Sequence, residues 1–115
     1  MFLPEPSVNI WLHTQPVDMR KSFDGLIGIV VSALAEVPTS GDMFVFINKR
    51  KTHMKVLYFE RSGYCLWYKR LEQGQFNYGY DQGGKRRLNW TALKLLLEGI
   101  KIEKSRQYKR YKHPL

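Results

Sequence analysis

A chain of 115 residues that is 43% hydrophobic and 14% aromatic has the material for one packed core, and more apolar surface than a disordered polypeptide carries. Its net charge of +9 points to a polyanionic partner, and its one cysteine, Cys65, excludes an internal disulfide. The longest apolar stretch, around Leu26 to Ala35, is broken by Gly28 and Ser32 and falls short of the roughly 20 residues that span a bilayer. With no basic segment leading into an apolar run at the N-terminus, and a lone thiol expected to be buried, the expected location is the cytoplasm.

In chain order, Val8 to His13 is β-prone and is stopped by Pro16, which predicts a short strand. Phe23, Leu26, Ile27, Val30, Val31 and Leu34 step by three and one, the stripe of a helix capped by Asp18 or Ser22 and closed before Pro38. Asp24 stands four residues after Arg20, the spacing of a helical ion pair. Gly25 inside the helix costs roughly 1 kcal/mol against alanine, so another backbone is expected to approach closely there.

Three strand-like runs follow: Met43 to Asn48, Met54 to Glu60 and Tyr64 to Glu72, with links short enough for hairpins. The first run is apolar on both faces, so one face is expected against the helix and the other against the later helix or a partner protein. Residues 73–87 read as an irregular loop, and Trp90 to Gly99 as a second helix with Asn89 or Thr91 as cap and Gly99 as stop. The expected fold is α+β: an antiparallel three- to four-stranded meander packed on one longer helix, with a short C-terminal helix. Residues 1–103 form a single domain in this reading, and 104–115 a basic, flexible tail.

Charge is unevenly placed. Residues 1–84 hold 9 Lys/Arg against 8 Asp/Glu, and residues 85–115 hold 10 against 2. Lys104, Arg106, Tyr108, Lys109, Arg110, Tyr111 and Lys112 interleave cations for phosphates with flat rings for bases. Lys85, Arg86 and Arg87 precede the second helix, Arg20 and Lys21 the first, and Lys49, Arg50 and Lys51 form a basic hairpin tip. These fifteen residues are the candidate nucleic-acid contacts, with the tail and Lys85-Arg86-Arg87 ranked above the tip. No recognition motif for base sequence is legible, so contact with the DNA backbone is the expected mode.

Enzymatic chemistry finds little support. Gly79 to Arg86 fits a phosphate loop through G-x-x-x-x-G-K but puts Arg86 where a magnesium-binding Ser or Thr belongs, with no apolar strand leading in. His13, His53 and His113 are far apart in sequence, and no cysteine pair gives zinc spacing. No catalytic residue, cofactor, metal or small-molecule substrate is expected.

Several blocks resemble one family. Asp18-Met19-Arg20-Lys21-Ser22-Phe23-Asp24-Gly25-Leu26 looks like its D-M-R-K-x-F-D-G-L opening. Gly41-Asp42-Met43-Phe44-Val45-Phe46 and Lys55-Val56-Leu57-Tyr58 resemble its G-x-L-F-V-F and K-x-L-Y strands, with Met43 where the pattern has Leu. Cys65 to Phe76 is similar to C-L-x-Y-K-R-L-E-x-G-x-F, and Leu96 to Ile100 to L-L-x-G-I. The family is TnpB (Orf two-like), the small accessory protein of insertion sequences of the IS-sixty-six type, distinct from the RNA-guided nuclease of the same name. The resemblance implies a non-enzymatic part in transposition beside a separate transposase. The expected partners are DNA and the transposase or a sister accessory protein. The alternative is an adaptor that touches such a protein and never DNA.

Overall fold

The structure, a computed structural model, describes residues 7–79 and 83–99. Its elements are β1 (Ile10–His13), α1 (Phe23–Ser32), β2 (Met43–Ile47), β3 (His53–Glu60), β4 (Gly63–Arg70), β5 (Lys85–Leu88) and α2 (Trp90–Leu97). The five strands form one sheet in the order β4-β3-β2-β1-β5. The pairs β2–β3 and β3–β4 are antiparallel hairpins, in the register Phe44↔Leu57 and Leu57↔Leu66.

Two features correct the expected meander. The sheet is mixed: β1 runs parallel to β2, with Ile10 opposite Met43 and Leu12 opposite Val45. A helix separates these strands, and a chain that crosses a sheet face through a helix returns in the same direction. The second correction lies in residues 73–87, where Lys85 to Leu88 form β5 rather than loop. This strand pairs antiparallel with β1, placing Lys85 opposite His13 and Arg87 opposite Trp11.

Strand alternation sends the side chains of β2 to opposite faces, and all five are buried. Phe44 and Phe46 meet Leu26 and Val30 of α1, Leu34 just beyond its end, and Leu57. Met43, Val45 and Ile47 meet Leu93, Leu96 and Leu97 of α2, with Phe76 filling the layer. One helix therefore covers each face of β2, and α2 is the cover for the second apolar face.

Helix boundaries follow local chemistry. Asn89 Oδ1 accepts from the Ala92 backbone N–H, a cap that stabilises α2 by about 1 kcal/mol. Gly99 follows α2 with φ at +75°, the left-handed conformation that glycine tolerates at a helix end. Ser22 occupies the N-cap position of α1 without a side-chain cap bond, and the helix ends at Ser32, earlier than the apolar stripe suggested. A Cβ added at Gly25 would come within 3.2 Å of the Lys21 side chain, so the close approach there is by that side chain rather than another backbone. Cys65 is half-buried rather than fully enclosed.

Candidate nucleic-acid interface

The hairpin tip between β2 and β3 is tightly held. Asn48 Oδ1 accepts from the backbone N–H groups of Thr52 and His53, at 2.9 and 3.0 Å. Lys51 takes φ +61° and donates its N–H to Asn48 O. Three more bonds reach the tip from the segment after β4. Leu71 N donates to Thr52 O, Phe76 N to Lys51 O, and Gln75 Nε2 to Arg50 O. Phe76 is wholly buried, so the core itself anchors this loop. The consequence is a rigid tip on which Lys49 and Arg50 stand exposed. Lys51 instead turns inward, donating to Tyr78 O at 3.3 Å and lying 4.6 Å from the Tyr78 ring centroid.

Several other cations are fasteners. Lys55, only 7% exposed, donates to Met19 O and Lys21 O, both at 2.8 Å. A buried ammonium needs such acceptors, because losing water without replacement costs several kcal/mol. The bond pair fixes the segment that precedes α1 and so fixes where Arg20 and Lys21 project. Lys69 donates to Leu97 O at 2.9 Å, satisfying a carbonyl at the C-terminus of α2. Lys85 ties β5 to the segment that follows α1 through Leu34 O (2.9 Å) and Glu36 (2.6 Å), and its ammonium lies 4.5 Å from the Trp11 ring centroid. Arg86 donates to Gly79 O at 2.7 Å.

Arg20, with a side chain 91% exposed, clasps Asp18 rather than the expected Asp24, through Nη2 at 2.7 Å and Nε at 3.0 Å. Arg20 precedes α1, so helical spacing does not apply. The bond lowers the Asp18 carboxyl to about 2, with hydrogen bonding to Arg20 as the main cause. The acid in this region is thereby already matched by a cation.

Beside the tip lie two open grooves of about 390 Å³ each, joined at His53. The first runs along Pro16, Asp18 and Met19 on one side and Asn48, Lys49 and Arg50 on the other. The second is lined by His53, Tyr68, Arg70 and Glu72. His53 is oriented by Thr52 Oγ1 at 2.8 Å and Asn48 Nδ2 at 3.2 Å. Arg70, opposite His53 in the β3–β4 register, pairs with Glu72 at 2.8 Å on the surface.

The structure thus gathers Lys49, Arg50, Arg70 and the segment from Asp18 to Met19 around His53. It puts Lys85, Arg86 and the exposed Arg87 on the far edge strand of the sheet. Lys104, Arg106, Tyr108, Lys109, Arg110, Tyr111 and Lys112 lie outside the described residues, as does the expected boundary at 103/104. Arg70, His53 and Tyr68 were not among the fifteen candidate contacts. Their signal was present in the alternation of β4, which sends Tyr68 and Arg70 to the same face. Among the described residues no group of three His, Cys, Asp or Glu is placed to hold a metal ion, and no helix is long and apolar enough to cross a membrane.

The described residues form a mixed five-stranded sheet between two helices, with Lys49 and Arg50 exposed at the tip between β2 and β3. The chain belongs to the IS66 Orf2-like protein family, whose model matches residues 8–107. Membership implies an accessory role in transposition. Two Sinorhizobium fredii proteins are similar over most of their length. The uncharacterized protein y4jC is 36% identical over 100 residues, covering 87% of this chain and 86% of its own. The uncharacterized protein y4hO is 34% identical over 94 residues, covering 82% of each. No solved structure matches the chain.

Proposed function

We propose that the protein is a non-enzymatic accessory factor for transposition of an insertion sequence, and that it binds DNA through the phosphate backbone. The observation that supports this most is the tip itself. Lys49 and Arg50 are exposed on a loop whose backbone is fixed by Asn48, Gln75 and Phe76. With the backbone already fixed, no loop ordering is added to the cost when these cations meet phosphates. Lys21 and Arg87 add exposed positive charge, Arg20 is exposed but paired with Asp18, and residues 104–115 supply the greatest density of positive charge in the sequence. The protein acts beside the transposition machinery of its element in this reading. The adaptor alternative drew on an uncovered apolar face of β2, and α2 occupies that face.

The test is fluorescence anisotropy with a labelled duplex over a salt series, using the full chain and a version ending at residue 103. Binding that weakens steeply with salt is expected, with a shallower slope after truncation, because each phosphate neutralised adds about 0.9 to the log–log slope. A full chain that binds no duplex even at low salt would sink the proposal.

A further inference from the structure

We propose that Tyr68 is a stacking platform for an unpaired DNA base, with Arg70, Lys49 and Arg50 holding the neighbouring phosphates. The inference rests on the DNA-binding reading above and narrows the ligand to single-stranded or locally opened DNA. Tyr68 is 53% exposed, while its strand neighbours Leu66 and Trp67 are half-buried. Its ring is nevertheless fixed. The Lys55 ammonium lies 4.8 Å from the ring centroid, and two backbone carbonyls immobilise that ammonium. The His53 ring flanks it at 6.0 Å, itself oriented by Thr52 and Asn48.

A ring braced in this way and open to solvent offers an aromatic surface without a further ordering cost. Any of the four bases can stack on such a surface, since each has a π-face. The surrounding groups suit a strand rather than a single base. Tyr68 and Arg70 line one groove, Lys49 and Arg50 line the next, and His53 belongs to both. A backbone crossing His53 from groove to groove would meet cations on either side of the stacked base. Bases within an intact duplex are already stacked on each other, so the ring is useful only where pairing is broken. Among the described residues Glu72 is the acid lining the Tyr68 groove, and its partner Arg70 is released to a phosphate when the two exchange.

The experiment measures affinity of the full chain for a fluorescent single strand and for the matching duplex at one salt concentration. It compares the parent protein with Tyr68→Ala, Tyr68→Trp and Glu72→Gln, with far-ultraviolet circular dichroism verifying the fold of each. Tyr68→Ala is expected to weaken single-strand binding by about five- to 160-fold, the range for losing one base–aromatic stack. Duplex binding should change by less than about twofold, because no stack is lost there. Tyr68→Trp should preserve or improve single-strand binding, and Glu72→Gln should strengthen it. A parent protein that binds duplex but not single strand overturns this inference and leaves backbone binding standing. Equal losses on both ligands, or unchanged single-strand binding in Tyr68→Ala, overturn it as well. Failure of the parent to bind either ligand removes the DNA-binding reading and this inference together.

Discussion

Lys49-Arg50-Lys51 and Lys85-Arg86-Arg87 are nearly the same triplet in sequence, and the fold uses them differently. At the hairpin tip, two of three side chains face solvent and the backbone beneath them is fixed by the core. On β5, two of three are drawn in, Lys85 to the segment that follows α1 and Arg86 to Gly79. Charge density ranks the second triplet higher, because it opens the basic quarter of the chain. Exposure reverses that order. A cation's role depends on which carbonyls lie within its reach, and Lys55 and Lys69 make the same point.

The strongest way to disturb the contrast is to remove the anchor of the tip. Phe76→Ala should cost about 3–5 kcal/mol in urea unfolding, as expected for emptying a fully buried aromatic site. A loss under about 1 kcal/mol would mean that the tip does not depend on the core. Lys55→Met comes next. It strands the carbonyls of Met19 and Lys21, and a fall of about 2 kcal/mol is expected, with faster amide exchange along residues 19–21.

A paired comparison then addresses the triplets directly. Lys49→Ala with Arg50→Ala should leave unfolding within about 0.5 kcal/mol of the parent, as for exposed sites. It should reduce the salt slope of duplex binding by about 2. Lys85→Met should do the opposite, lowering stability by about 1–2 kcal/mol through the lost bonds to Leu34 and Glu36 while moving the slope little. Slopes that fall equally in both variants would erase the distinction.

The smallest expected effect concerns acid. Burial lowers the pKa of His13, the opposing contribution of the Gly84 backbone is smaller, and Nδ1 has no hydrogen-bond partner among the described residues. The unfolded chain therefore takes up the proton first. Stability is complete above the ordinary histidine value of about 6.5 and declines as pH falls through the lower folded value. Thermal midpoints from about pH 7.5 to 5 should show this slope, and His13→Gln should flatten it.

Much of the fold was readable because apolar periodicity is strong where burial is strong. The stripe from Phe23 to Leu34 and the strands around Val45, Val56 and Leu66 stood close to their observed places. β5 was not readable: Lys-Arg-Arg-Leu has one apolar residue, and it is a strand because β1 offers a free edge for it. The parallel pairing of β1 and β2 was implicit in the strand–helix–strand order and was overridden by the hairpins after it. In the site, Lys49 and Arg50 were legible as an exposed tip. The inward roles of Lys55, Lys69 and Lys85 were not, since bonds to backbone carbonyls leave no trace in side-chain pattern.

Gly99 has a consequence for geometry at longer range. A Cβ there would lie 3.4 Å from Gln75 O, and Gln75 is the residue whose side chain holds Arg50 O. The end of α2 is thus packed against the segment that braces the hairpin tip. A side chain at this position would press on Gln75 and, through it, on the loop that presents Lys49 and Arg50, so a change at the end of α2 is felt at the tip.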